Sequence, residues 1–371
     1  MQKIPLIKPQ INGKVLCNVV LEVAKSGILT KGKYVNTFQD KLQQYLKTDY
    51  ALATTSATTA LHLGLLVGNI KAGDEVLVSD YSFPASGNVV AQIGAKPVFV
   101  DINLIDFNMD IDDLKKKITK KSKAIMVVHA FGYPANMSEI MKIAKKHHLF
   151  VIEDAACAIG SQYKEKFCGT WGDVGCFSFH PRKVITTGEG GAIVTNNKKI
   201  AERLEILRNH GGIQGKDGQE FVEIGYNYRM SELQAAMGLE QLRRAKQIIK
   251  RRQEIAKKYL KLLKNIQSIQ LPREPENGEF NFQSFVVFLD RNIDRGQVIQ
   301  KMATRGIETT IGTYAMHAQK SFSKFGYKPG DLINSFFAYR HALTLPLYEG
   351  LTEENLNFIA NTLSLVIQEE K

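Results

Sequence analysis

The sequence predicts an α/β protein with a large domain on a mostly parallel sheet and a smaller C-terminal α+β domain. Two observations carry this. Through the first half of the chain, short continuously apolar runs alternate with helical stretches, the pattern of parallel strands covered on both faces. After Asn227 the texture changes to a long charged segment with apolar positions three and four apart, too long for a simple crossover. The length of 371 residues and 44% hydrophobic content suit two such units with a sizeable core.

The expected strands are EVLVSD (75–80), KPVFVDI (96–102), KAIMVVHAFG (123–132), LFVIEDAA (149–156), VGCFSFH (174–180) and GGAIVTN (190–196). ASGNVVAQIGA and SEIMKIAKKHH are helices between them. MSELQAAMGLEQLRRAKQIIKRRQEIAKKYLKLLKNI bridges the two domains, which are expected at 1–245 and 246–371, with the N-terminal arm packing on the small one. PREPENG is a loop, QSFVVFL a strand, DRGQVIQKMATRG a helix, and LTEENLNFIANTLSLVIQEE a helix capped by Thr352. Sheets of this kind bind ligands at the carboxyl ends of their strands.

Composition narrows the function. The net charge of +12 comes largely from lysine-rich patches such as Lys115 to Lys117 and from Arg243 to Arg252. These segments read as exposed helix faces and turns without interleaved aromatics, so no nucleic-acid partner is expected. A positive charge suits an anionic small substrate. Cys17, Cys157, Cys168 and Cys176 form no C-x-x-C pair, so no metal site and no disulfide framework is expected. No apolar run is long enough to cross a bilayer, MQKIPLIKPQ lacks a secretory segment, and a cytoplasmic enzyme with no membrane partner is expected.

Four features point to the same side of the sheet. TTSATTALHLGLL (54–66) opens a helix with small and hydroxyl residues. It is either an anion seat or an ordinary N-cap. Asp154 ends a buried apolar strand, where a carboxylate is costly unless a cationic neighbour or a ligand meets it; alternation sends Glu153 to the other face. Lys183 follows Ser178 and His180 and precedes TTGEGG, and is either a solvated surface lysine or a lysine at the mouth of a site. Phe83 lies just past a strand and is either a stacking ring or core. Anion seat, aromatic ring, carboxylate and lysine together are what pyridoxal phosphate requires.

EDAACAIGSQY, GDVGCFSFHPRKVITTGEGGAIVTN, LRNHGG and IGYNYRMSELQAAMG, in this order, resemble the signature blocks of the DegT/StrS family of sugar aminotransferases, with looser likeness from SGILTKGKYVNTFQDKL onward. The resemblance implies the aspartate-aminotransferase-type fold (fold type I) and pyridoxal 5'-phosphate, with pyridoxamine 5'-phosphate as the intermediate form. It also implies a homodimer with shared sites and transfer of an amino group from L-glutamate to a nucleotide-linked keto-sugar, at C-4 in preference to C-3. By the same resemblance Lys183 matches the Schiff-base lysine and Asp154 the partner of the pyridine nitrogen. Ser178, Ala57 and Thr58 match the phosphate seat, Phe83 the stacking ring, and Asn227 a residue reaching the phosphate from the neighbouring subunit.

Three positions depart from the family pattern. Cys157 stands where Gln or His is usual over the ring, Ala57 where the turn has Gly, and Gly32-Lys33 where Gly-Pro is usual. Lys31, His180, Tyr314 and His317 are candidate substrate contacts, with a packed histidine as the alternative at His317. A cyclitol-like keto substrate and a non-catalytic regulator that binds the cofactor are the competing functions.

Overall fold

The computed structural model describes residues 3–370. Helices α1 (Gly13–Ser26) and α2 (Lys33–Leu46) precede the sheet. Its strands are β1 (Tyr50–Thr54), β2 (Glu75–Ser79), β3 (Lys96–Val100), β4 (Ser122–Val128), β5 (Phe150–Asp154), β6 (Val174–Ser178) and β7 (Gly191–Thr195). They lie in the order β1-β7-β6-β5-β4-β2-β3. Strands β2 to β6 pair in parallel, and β7 runs against both β6 and β1. All six expected strands form, and β1 is a seventh that the alternation did not announce.

Helices α3 (Ala57–Val67), α4 (Ala85–Gln92) and α7 (Lys198–Arg208) cover one face. Leu61, Val89 and Leu204 meet Val78, Met126, Ile152 and Ile193 there. The other face is covered by α2, by α5 (Ile111–Lys117), by α6 (Met137–His147) and by the start of α8 (Glu232–Leu263). Burial on both faces is why these strands are apolar throughout rather than alternating. The period of two also separates neighbours on β5. Ile152 packs under the α3 face while Val151 packs under α6.

α8 is 32 residues long, roughly 48 Å at 1.5 Å per residue. Ser231 and Gln234 form a capping box at its start. Residues up to Ile249 pack into the large domain and those from Ile255 onward into a second core. That second core surrounds a sheet of β8 (Ile269–Gln270), β9 (Phe285–Leu289), β10 (Thr310–Ile311) and β11 (Ala342–Leu345), ordered β8-β9-β11-β10. Helices α9 (Arg295–Thr304) and α11 (Glu353–Glu369) pack on it, and α11 is capped by Thr352 with Asn355. The N-terminal arm joins this core through Ile4, whose backbone bonds Gly306 and Glu308.

One segment departs from the expected 246–371 unit. Met316, Phe322 and Leu332 leave the small domain and pack in the large-domain core. Gly87 of α4 lets them approach: a Cβ there would lie 2.8 Å from the Phe322 ring and 3.2 Å from the Met316 sulfur. Helix α10 (Ile333–His341) then leads back to β11.

Candidate active site

A cavity of about 570 Å³ opens at the carboxyl ends of the strands, between the sheet and the small domain. Its floor begins at the start of α3. Ser56 caps that helix, its hydroxyl accepting from the Thr59 N–H at 3.1 Å, while the Thr59 hydroxyl accepts from the Ser56 N–H at 3.1 Å. The reciprocal box leaves the N–H groups of Ala57 and Thr58 at the positive end of the helix dipole, where no intrahelical partner exists. Gly191 lets β7 come close: any Cβ there would sit 2.3 Å from the Ser56 carbonyl carbon and 2.5 Å from the Ala57 nitrogen. Ser178, paired with Gly191 across the strands, lines the same corner.

Asp154 forms the far side. It is 6% exposed; its Oδ2 accepts from the Ser86 hydroxyl at 2.7 Å and its Oδ1 from the Ala156 N–H at 3.2 Å. No cationic side chain of the described residues pairs with it. Its remaining side faces the cavity. Glu153 points to the opposite face, where the N–H groups of Gly169, Trp171 and Gly172 donate to it at 2.6 to 2.8 Å. His129 Nε2 meets it at 2.8 Å; Ala135 N–H donates to Nδ1, so the proton of this imidazole sits on Nε2, facing the carboxylate.

Lys183 lies across the cavity on the loop after β6. Its ammonium donates to Cys157 Sγ at 3.0 Å and meets no carboxylate among the described residues. Cys157, the departure from the family pattern, is therefore in direct contact with this amine. His180 lines the cavity on the same loop. Partial burial pushes its imidazole below the usual range; Glu189 at 3.8 Å pulls the other way, and Lys183 and Arg182 add to the lowering. Phe83 is not core: its ring is 66% exposed at the cavity rim.

Four expected residues lie elsewhere. His317 is packed, not a substrate contact. Asp80 takes its Nδ1 at 2.6 Å and its backbone N–H at 2.7 Å, and the Pro329 carbonyl faces its Nε2 at 3.1 Å, so neither ring nitrogen is left for a ligand. Tyr314 does not line the cavity either. It pairs with Ser82, and its ring lies 6.3 Å from that of Phe83, where it braces the aromatic rim. Lys31 and Asn227 are exposed and outside the cavity. Lys31 precedes a close approach that explains Gly32: the buried Glu232 carboxylate accepts from the N–H groups of Gly32, Tyr34 and Val35, and a Cβ at Gly32 would fall 2.7 Å from it.

Sequence reasoning missed two groups here, one behind the cavity wall and one lining it. Ser86, which bonds Asp154, sits in a helix whose small residues signal only packing. Gln283 lines the small-domain wall; an amide inside the apolar run FNFQSFVVFL was its available signal.

This arrangement combines an unpaired buried carboxylate, an amine without an acidic partner and a helix start open to an anion. The chain is similar to known proteins along nearly its whole length. A GDP-perosamine synthase of Escherichia coli O157:H7 is 37% identical, with 98% of each chain covered. Among solved structures, Spr1654 of Streptococcus pneumoniae in its PMP-form superposes with a TM-score of 0.95 at 26% identity, over 99% of this chain and 98% of that one. PseC of Helicobacter pylori, an aminotransferase of pseudoaminic acid biosynthesis, superposes at 0.92 with 28% identity, over 99% of this chain and all of that one. The DegT/DnrJ/EryC1/StrS aminotransferase family matches residues 10–364, and this chain belongs to it.

Proposed function

We propose that the protein moves the amino group of L-glutamate onto the keto carbon, C-4 rather than C-3, of a nucleotide-linked hexose, using pyridoxal 5'-phosphate. The observation that carries this is Asp154: a buried carboxylate with no cation of its own, facing the cavity that also holds Lys183. The residues present fit the cofactor. A protonated pyridine nitrogen is the cation Asp154 lacks, and a phosphate suits the Ala57 and Thr58 N–H groups with the Ser178 hydroxyl. Similar chains have been solved in PLP- and PMP-forms.

Bound there, the cofactor supplies an electron sink for a carbanion at the donor's α-carbon. Asp154 keeps the pyridine nitrogen protonated, with Ser86 and Ala156 orienting its two oxygens. Lys183 would hold the cofactor through Nζ and, as the free amine, would move a proton to and from the donor's α-carbon. Phe83 supplies a flat face at the rim. Cys157, in contact with Lys183, would lie beside the cofactor there.

The E. coli relative's name, with its GDP-linked amino sugar, and the positive net charge support a nucleotide-linked acceptor. Free thiols and no helix among the described residues long and apolar enough to cross a membrane suit the proposed cytoplasmic location. To test the reaction, each half is followed alone: glutamate should bleach the yellow absorption band, and a nucleotide-linked 4-keto-hexose should restore it. A band unmoved by glutamate, glutamine, aspartate and alanine alike overturns the aminotransferase; restoration only by free keto-acids or cyclitols overturns the sugar.

A homodimer with shared sites is proposed as the working unit. Asn227 is exposed outside the cavity; the exposed apolar groups Phe221, Val222 and Ile224 precede it in sequence, and the exposed Ile28 and Leu29 lie on the segment that the Glu232 N–H joins through the Leu29 carbonyl. Co-expressed Lys183→Ala and Asn227→Ala chains should regain part of the activity that each lacks, because one hybrid site is intact. A monomer by sedimentation, with no recovery, overturns the shared site.

A further inference from the structure

We infer that Cys157 is an oxidation site, at which hydrogen peroxide joins its sulfur to Lys183 Nζ and withdraws that amine from the cofactor. What the withdrawal costs the enzyme rests on the aminotransferase reading, whereas the bond itself rests on the contact between the two side chains.

The pair sits where both partners and a small oxidant can meet. Cys157 and Lys183 are each half-buried, and both line the cavity. Nζ lies 3.0 Å from Sγ and has no carboxylate partner among the described residues. Both main chains are held in place. The Cys157 carbonyl accepts from Asn281 Nδ2 at 2.9 Å, and the Lys183 N–H donates to the His180 carbonyl at 2.9 Å. The reacting atoms stay neighbours, with only side-chain torsions to adjust. The other cysteines lack this setting. Cys17 is exposed on α1 and does not line the cavity, and Cys168 and Cys176 are fully buried.

The sulfur first attacks one peroxide oxygen. The O–O bond breaks, the peroxide is reduced to water, and the thiol is oxidised by two electrons to a sulfenic acid. Lys183, as its free base, then attacks that sulfur. An S–N bond forms and the S–O bond breaks, the hydroxyl leaving as water with a proton from the nitrogen. One thiol, one amine and one peroxide thus give one S–N link and two waters. Elsewhere a sulfenic acid condenses with a second thiol or a backbone nitrogen. Here no second thiol lines the cavity, and a side-chain amine already touches the sulfur. Added thiol reverses the link: its attack on sulfur releases the amine and leaves a mixed disulfide, which a second thiol reduces.

The free amine is the condition. While Lys183 holds the cofactor, Nζ is engaged and cannot join the sulfur. Once glutamate has delivered its nitrogen, Nζ is free beside Cys157. The enzyme is therefore open to peroxide between its half-reactions and protected before the first.

The test uses the full-length Cys17→Ser holoenzyme, so that the exposed thiol adds no mass. One sample keeps pyridoxal phosphate; the other is converted to the amine form with glutamate and desalted. Each receives hydrogen peroxide, then catalase, and is read by intact mass and peptide mapping. The amine form should lose two hydrogen atoms and join the Cys157 and Lys183 peptides about tenfold faster than the aldehyde form. It should also lose borohydride trapping of added pyridoxal phosphate, and dithiothreitol should restore mass, trapping and turnover. A digest of the unaltered chain, treated alike, should give the same joined peptides, so the result does not hang on how a variant folds. Cys157→Ser and Lys183→Ala should give none. Oxygen added at Cys157 without joined peptides, or equal rates in the two forms, overturns the proposal. Should glutamate fail to convert the cofactor, the aminotransferase reading falls, while peroxide added to the full chain stripped of pyridoxal phosphate still decides whether the link forms.

Discussion

Asp80 and Asp154 occupy the same kind of place. Each follows an apolar run, EVLVS for one and FVIE for the other, at the carboxyl end of a strand in the same sheet. Each is buried, at 0% and 6% exposure. The difference is what meets them. Asp80 is closed by His317, which folds back from the C-terminal half of the chain and gives it a ring nitrogen and a backbone N–H. Asp154 receives one hydroxyl and one amide, and its remaining face is cavity. Burial of a charge marks a function only when the protein does not itself supply the counter-charge.

Substitutions can sharpen this contrast. The largest effect is expected opposite Asp154, at Lys183. Lys183→Ala should lose more than about 10³-fold in turnover, with pyridoxal phosphate still bound but no longer trapped by borohydride. Peptide mapping of the reduced unaltered enzyme should find the pyridoxyl group on Lys183; recovery on another lysine breaks the assignment.

Asp154→Asn should cost about 10²-fold in turnover while leaving the melting temperature nearly unchanged, because the variant removes a buried carboxylate that no cation of the chain pairs with. Full activity would make Asp154 an ordinary core residue, equivalent to Asp80.

The converse is expected at the other carboxylate. Asp80→Asn leaves His317 without its counter-charge and should lower stability by about 3 kcal/mol, with the folded protein still active. Denaturant unfolding and turnover measured on one preparation separate the two. The pH dependence has a definite sign. Burial pushes the His317 imidazole down, but the Asp80 carboxylate outweighs it and raises the group above its ordinary value. The His317 contribution is therefore fully present below its ordinary value of about pH 6.5 and fades as pH rises through the raised value, while burial pushes the Asp80 carboxyl up, so the pair is lost at the acid end as well. A melting curve flat across that range in the unaltered protein, or equally sloped in Asp80→Asn, breaks the comparison.

How much was legible follows from the same residues. The strands ending at Ser79, Asp154 and Ser178 were legible because both faces of a parallel sheet demand apolar side chains at every position. Strand β1, YALAT, was not: its small residues fit the close packing against α2 and β7 but announce no element alone. Lys183, Ser178 and the start of α3 were legible because strand, turn and small residues are local features. His317 was not. Nothing near it in sequence tells that Asp80, 237 residues away, would take its ring.

By itself, then, the sequence determined the alternation that builds the sheet, the side of the sheet on which ligands bind, and the local chemistry of the loops there. These depend on neighbours a few residues apart, through side-chain period and backbone geometry. Only the tertiary structure decided which buried polar groups satisfy each other and which are left facing a cavity. Asp154 is left without a cation, His317 is closed off by Asp80, and Gln283 is held by Arg252 and Arg182, 31 and 101 residues away, with its side-chain oxygen buried and unpaired. Electrostatic and hydrogen-bond satisfaction acts over a few ångströms in space, and the distances along the chain that bring such groups together carry no signal of it.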